Sequence, residues 1–438
     1  MIRNIEKYLL DWKDRKDRKV LLVRGARQVG KTFSIRELGK KFNDFLEVNL
    51  EEDRDIHNFF TASLNPQEII KKLSLYYQHS IIPGKTLLFF DEIQANPDAI
   101  RALRFFYEKL PELHVIAAGS LLEFALAEIP SYGVGRIESV FIYPMNFFEY
   151  LQAVGSKDLS VLIKQSGVDN PIDDVFHNRL LDHLKVFQII GGMPEVVKTY
   201  VRTNDILQCQ KILDNIIMGY IDDFAKYKGR TSPLILDEVF KSIAFQAGGK
   251  FKYSNISNDK YTTYKNALEL LVQAGIAYKI FHTSARGLPL GAQIKNNKFK
   301  VAIFDTGIYQ RISKLDLSVF VVQDYNSLIN KGALAELYVY NELISSGNPR
   351  VRPEIFYWHR EMRGSNAEID YIISIAGKII PIEVKAGTRG AMQSLHLFLK
   401  ERDLDLGIRF SGENYGIYDK IMSIPAYAVS NIHDIKFK

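Results

Sequence analysis

Gly25-Ala26-Arg27-Gln28-Val29-Gly30-Lys31-Thr32 follows directly on the apolar run Val20-Leu21-Leu22-Val23 and leads into a helix-compatible segment from Phe33 to Phe42. The spacing is the phosphate-binding loop pattern G-x-x-x-x-G-K-[ST], set between strand and helix, the context that gives it meaning. Glycines there let backbone N–H groups turn inward as an anion nest at a helix N-terminus. Lys31 is placed to reach the β- and γ-phosphates as a point charge, and Thr32 to offer its hydroxyl to Mg²⁺. The expected ligands of Gly25 through Thr32 are therefore a nucleoside triphosphate, ATP, and Mg²⁺.

Working outward, apolar runs recur at 45–50, 86–90, 114–118 and 139–143, with amphipathic segments between them. Short buried strands alternating with helices predict a parallel sheet covered on both faces over residues 1–150. Such sheets bind ligands at the carboxyl ends of their strands, where Gly25, Asp91 and Ser120 fall. Thr86-Leu87-Leu88-Phe89-Phe90-Asp91-Glu92-Ile93-Gln94 is an apolar strand closed by two acids. After a phosphate loop this assigns Asp91 to Mg²⁺ and Glu92 to the attacking water, as the group that orients and deprotonates it. Val115-Ile116-Ala117-Ala118 ends in Gly119-Ser120. Ser120 is expected beside the γ-phosphate, or as the cap of the helix that follows. Arg136, on the loop Tyr132-Gly133-Val134-Gly135-Arg136, is a candidate for stabilising γ-phosphate charge, from its own chain or from a neighbouring subunit. The second case would make the protein a homo-oligomer.

Residues 151–233 read as a helical lid or connector, punctuated by Gly191-Gly192-Met193-Pro194. Residues 234–310 resemble a small winged helix: Leu234–Gln246, then a second helix from about Thr262, then two extended segments. In a DNA reader that second helix enters the major groove. Tyr261, Thr262, Thr263, Tyr264 and Lys265 lie at its start; the alternative is a packing module for a protein partner. Residues 311–438 begin with a helix, Gly332–Ile344, and continue as an αβ pattern. In Glu368-Ile369-Asp370-Tyr371 and Pro381-Ile382-Glu383-Val384-Lys385, alternation puts Glu383 and Lys385 on one strand face. Asp370 and Glu383, with Glu336 from the helix, are candidate Mg²⁺ ligands, and Lys385 a candidate activator of water, as in the PD-(D/E)xK nuclease core. Asp222-Asp223 and the histidines show no comparable spacing.

The Gly25–Thr32 loop, the Asp91-Glu92-Ile93-Gln94 end and the Gly135-Arg136 loop together resemble the AAA-type ATPases of bacteria and archaea that carry a C-terminal domain of unknown function. Gly191-Gly192-Met193-Pro194-Glu195-Val196, Phe304-Asp305-Thr306-Gly307 and Ile382-Glu383-Val384-Lys385 resemble that second domain. The resemblance implies an α/β fold: an AAA+-like P-loop NTPase core, a helical block, a winged-helix-like segment and a restriction-endonuclease-like terminus. Ala118-Gly119-Ser120 departs from the Thr-Gly-Ser frequent in that family, and keeps the serine.

Composition sets the outer limits. The 438 residues are 47% hydrophobic and 25% charged, a balance that predicts a multi-domain globular chain. No apolar run approaches the roughly 18 residues of a membrane span, and a signal-peptide core is lacking, so a cytoplasmic protein is expected. The lone cysteine, Cys209, excludes an internal disulfide. A net charge of +6 permits nucleic-acid contact without arguing for it. The expected function is ATP hydrolysis coupled to a terminus that binds DNA and cleaves it with Mg²⁺. The alternative is an ATP-gated switch acting on a protein partner, with an inactive nuclease-like terminus.

Overall fold

Val20 to Val23 are all buried, and a strand with no polar face must be covered on both sides. The computed structural model meets that demand, and describes residues 1–120, 122–129, 133, 135–227, 231–258, 260–315, 331–362, 366–387 and 392–434. The chain forms two compact units. One comprises Ile2–Tyr143 together with Asn348–Arg352; the other comprises Pro144–Gly347 and Pro353–Lys438, with Met1.

The first unit runs α1 (Ile5–Asp14), β1 (Val20–Arg24), α2 (Lys31–Gly39), β2 (Asp44–Asn49), α3 (His57–Thr61), α4 (Pro66–Tyr76), β3 (Thr86–Asp91), α5 (Pro97–Lys109), β4 (His114–Ala118), α6 (Leu122–Glu128) and β5 (Ile137–Phe141). Proline opens α4 and α5 where its missing N–H costs nothing, and Asn65 and Asn96 cap them. The strands lie in the order β2-β3-β4-β1-β5, all parallel. Register aligns Val23 with Ala118 and Phe90 with Ala117, so β3, β4 and β1 deliver their carboxyl ends side by side. The distant segment Asn348–Arg352 docks on the β5 edge, where Pro349 O accepts from Phe141 N at 2.8 Å. Arg352 and Arg24 both pair with Glu123 and flank the Phe141 ring at 4.8 and 5.0 Å.

The second unit begins with helices: α7 (Phe147–Ala153), α8 (Lys157–Gln165), α9 (Asp174–Ile190), α10 (Pro194–Thr203), α11 (Ile206–Asp223), α12 (Pro233–Phe245) and α13 (Tyr261–Gln273). There follow β6 (Ala277–Thr283), β7 (Ile294–Ile303), α14 (Thr306–Ile312), α15 (Lys331–Ser345), β8 (Phe356–His359), β9 (Glu368–Ile375), β10 (Lys378–Val384), α16 (Gln393–Arg402), β11 (Gly407–Ser411), β12 (Gly416–Tyr418) and β13 (Ile421–Pro425). The strands form one mixed sheet, β12-β13-β11-β10-β9-β8-β6-β7. The hairpin β6–β7 therefore continues the sheet of the C-terminal strands, with β6 parallel to β8 at Phe281↔Phe356 and His282↔Tyr357.

Two of the quoted runs meet in this unit. Asp305 accepts from Gly192 N at 2.7 Å and Ile308 N at 3.0 Å, which joins the Gly191-Gly192 turn to the start of α14. Gly191 has φ +73, and a Cβ there would lie 2.3 Å from Asp305 Oδ1, so both conformation and space call for glycine.

Candidate nucleotide site and C-terminal acid cluster

The loop between β1 and α2 is anchored by buried Ala26 and Val29, while Arg27 and Gln28 face solvent. Gly25 (φ +145) passes so close to β5 that a Cβ would stand 2.2 Å from Ile142 O. Gly30, in the left-handed region, starts α2. From the other side Arg3, itself buried, donates to Val29 O and to Tyr143 O, both at 2.8 Å. That latch joins residues 26 apart, and only the folded chain reveals it.

Lys31 is buried and its Nζ donates to Gly25 O at 3.0 Å and Ala26 O at 2.8 Å, spanning the loop from within. Burial pushes the ammonium down to about 8; Glu92 and Asp91 oppose this and Arg27 adds to it. The Thr32 hydroxyl donates to Asp91 Oδ2 at 2.8 Å. Burial raises the Asp91 carboxyl above the usual range, with the Thr32 bond pulling the other way. A hydroxyl and a carboxylate sharing one point are the donor pair that one hard divalent cation takes, so these residues fit Mg²⁺.

Glu92 stands in the left-handed region at φ +47, an uncommon conformation for a residue with a Cβ. Its Oε2 accepts from Gln94 Nε2 at 2.6 Å and from both the N–H and the hydroxyl of Ser120 at 3.3 Å. The structure thus brings Lys31, Thr32, Asp91, Glu92 and Ser120 to the ends of three neighbouring strands. It adds Gln94, which sequence reasoning quoted without a role. Gly119 makes room for it: a Cβ there would stand 1.8 Å from Gln94 Oε1. Arg136 donates to Glu108 on α5 at 3.1 Å. Tyr132 and Val134 of its loop lie outside the described residues.

In the second unit Asp370 (β9), Glu383 (β10) and Lys385, the residue after β10, come together with Glu336 (α15). Asp370 Oδ2 accepts from Val384 N at 2.8 Å, and Lys385 Nζ donates to Glu383 Oε1 at 2.6 Å. Glu383 Oε2 is buried with no hydrogen-bond partner. Burial and the neighbouring Asp370 push the Glu383 carboxyl up to about 7, and the same two causes push Glu336 up to about 8. Two further residues belong to this cluster and were not foreseen. Lys300 on β7 reaches Glu368 Oε1 at 2.5 Å and Glu336 Oε2 at 3.4 Å. Strand alternation puts Glu368, two positions before Asp370, on the same face of β9, a signal available in the sequence. Lys300 had none. Among the described residues no group of three or more His, Cys, Asp and Glu stands in metal-holding geometry.

On α13, Tyr261, Thr262 and Lys265 are exposed, whereas Tyr264 turns inward and donates to Glu238 at 2.7 Å. Tyr264 is thereby removed from the residues expected to face a partner. No helix among the described residues is long and apolar enough to cross a membrane.

Compared with known families, residues 17–151 match an AAA domain, residues 181–318 a domain of unknown function (DUF8612) and residues 331–428 a domain of unknown function (DUF4143). No curated protein matches the chain. Among solved structures, a Walker-type ATPase of Pyrococcus abyssi is similar over 71% of this chain and 95% of its own, at 16% identity and TM-score 0.46. The ORC1 protein of Aeropyrum pernix, in complex with DNA, is similar over 74% and 95%, at 13% identity and TM-score 0.30. A STAND signal-transduction ATPase of Pyrococcus horikoshii is similar over 78% of this chain and 45% of its own, at 12% identity and TM-score 0.29. Along the chain, then, a match to an AAA domain is followed by matches to a DUF8612 and a DUF4143 domain.

Proposed function

We propose that this protein is an ATP-hydrolysing switch whose C-terminal part binds nucleic acid, with duplex DNA as the expected partner. The observation that carries the first half is the hydrogen-bonded chain Thr32–Asp91 and Glu92–Ser120 beside Lys31. In this reading the backbone from Gly25 to Thr32 cradles the phosphates, and Lys31 leaves its loop carbonyls for the β- and γ-phosphates. Thr32 and Asp91 hold Mg²⁺, which when bound draws charge from the phosphate oxygens. Glu92 orients the attacking water and takes its proton, while Ser120 senses the γ-phosphate through the contact it shares with Glu92. Arg136 supplies positive charge in cis, or in trans within a homo-oligomer.

Lys31→Ala is expected to abolish ATP binding measured by calorimetry. Glu92→Gln should keep binding but lose phosphate release by about 10²-fold or more. Normal turnover in purified Glu92→Gln protein would refute the role of Glu92.

For the second half, the exposed start of α13 within the winged-helix-like stretch 234–310 supports DNA contact. Duplex binding followed across a salt titration tests it. No binding at any salt concentration overturns it and leaves the ATP-gated switch on a protein partner. The restriction-endonuclease-like reading of residues 311–438, with Mg²⁺-dependent cleavage by Asp370, Glu383 and Lys385, is favoured by the unpartnered Glu383 Oε2. Incubation of wild type and an Asp370→Ala, Glu383→Ala variant with DNA and RNA in Mg²⁺ or Mn²⁺ tests it. Cleavage lost in the variant supports it, and no cleavage by wild type overturns it.

A further inference from the structure

The two oxygens of the Glu92 carboxylate are treated differently. Oε2 accepts from Gln94 Nε2 at 2.6 Å and from the N–H and hydroxyl of Ser120 at 3.3 Å, while no hydrogen bond among the described residues engages Oε1. The backbone is held too, since Glu92 N donates to Asp91 Oδ1 at 3.0 Å and φ is +47. A carboxylate tied by one oxygen has its plane fixed and its other oxygen free, which is what a general base needs toward one water. The Gln94 bond is the shortest of the three, an amide N–H meeting a charged acceptor.

Seating Gln94 there has a cost. Its Oε1 is buried with no hydrogen-bond partner, a loss that an apolar side chain of similar shape would avoid. Gly119 lies outside the left-handed region, so its backbone does not call for glycine; a Cβ there would overlap Gln94 Oε1. An unsatisfied acceptor and a glycine without a conformational duty thus both serve to place one amide against Glu92.

We infer that Gln94 is a positioning residue for ATP hydrolysis: its amide N–H holds Glu92 Oε2 so that Oε1 is turned to the attacking water, and Gly119 supplies the space the amide needs. Oε1 then takes the proton of the water whose oxygen bonds to the γ-phosphorus as the bond to ADP breaks. The inference rests on Glu92 being the general base and goes beyond it by naming the residue that aims it. Gln94 touches neither nucleotide nor water in this account.

The test compares full-length wild type, Gln94→Ala, Gly119→Ala, Glu92→Gln, and the pairs Gln94→Ala with Gly119→Ala and Gln94→Ala with Glu92→Gln. Phosphate release with Mg²⁺ and ATP gives kcat and KM, calorimetry gives ATP binding, and melting temperature reports folding. Gln94→Ala and Gly119→Ala are each expected to lower kcat about tenfold or more, with KM and binding close to wild type. Gly119→Ala should cost nothing further beside Gln94→Ala, and Gln94→Ala nothing further in the residual turnover of Glu92→Gln, because each pair acts through one contact. Losses that simply add, or that appear in KM and melting temperature with kcat unchanged, are those of a merely structural residue and overturn the inference. So does a kcat in Gln94→Ala at or above wild type while Glu92→Gln is inactive, an outcome that leaves the role of Glu92 standing. Normal turnover in Glu92→Gln overturns both. Gln94→Leu stands in should Gln94→Ala fail to fold, and Gly119→Ala, which leaves Gln94 and Glu92 unchanged, decides independently: wild-type kcat there sinks the inference.

Discussion

Lys31→Met should make the nucleotide-free protein more stable while removing ATP binding. Burial holds the Lys31 ammonium at about 8 against its ordinary 10.5, a difference equivalent to about 3 kcal/mol. Below pH 8 the lysine is protonated both folded and unfolded, and the whole penalty acts on the folded state. Between pH 8 and 10.5 the folded lysine has lost its proton while the unfolded one still binds it, so stability rises with pH across that window. Methionine keeps the length of the apolar stem and forfeits the bonds to Gly25 O and Ala26 O, worth about 1 kcal/mol each. The net gain at pH 7 is therefore about 1 kcal/mol, or about 2–4 °C in melting temperature for a unit of this size. Melting of wild type and variant at pH 7 and at pH 9.5, without nucleotide, measures it, and the gain should shrink or reverse at the higher pH. A variant that melts below wild type at pH 7, or a difference unchanged by pH, refutes the reasoning.

Gly25→Ala places a methyl group 2.2 Å from Ile142 O at φ +145. It is expected to cost about 3 kcal/mol in urea unfolding and to abolish ATP binding; a variant as stable as wild type would contradict the described loop. Glu342 is buried, accepts from Phe147 N at 2.8 Å and from Ser430, and burial pushes its carboxyl up to about 8. The folded state thus keeps a proton that the unfolded chain releases near 4.5, so this group makes stability fall as pH climbs from 4.5 to 8. Glu342→Gln should flatten that fall in urea midpoints taken at pH 5 and 8.5, and an unchanged slope argues against it. Cys209 is buried and its thiol is pushed up to about 11. Thiol reagents at pH 8 should label it only after denaturation, and rapid labelling of the native protein would count against this packing.

Much of the architecture was legible because it is written between neighbours. The run Val20 to Val23 calls for burial on both faces, Pro66 and Pro97 mark helix starts, and the glycines of the loop permit the turn that a Cβ would block. The acids closing β3 stand where an apolar strand must end in solvent or in a site. The candidate nucleotide cluster could be sketched from such signals because its residues either close a strand or open the helix after the loop, and both can be found locally. What stayed hidden is non-local. Arg3 reaches Val29, Gln94 reaches Glu92 through space that Gly119 leaves open, and Asn348–Arg352 docks on the edge of β5.

By itself, then, the sequence determined many of the elements, their inward faces and the phosphate-loop pattern, since periodicity and turn residues act within a few positions. Only the tertiary structure decided that β6–β7 extends the C-terminal sheet and that Lys300 enters the acid cluster. A strand offers two edges, and alternation says which side chains face inward. It does not say which strand will pair there or whose charge will arrive with it.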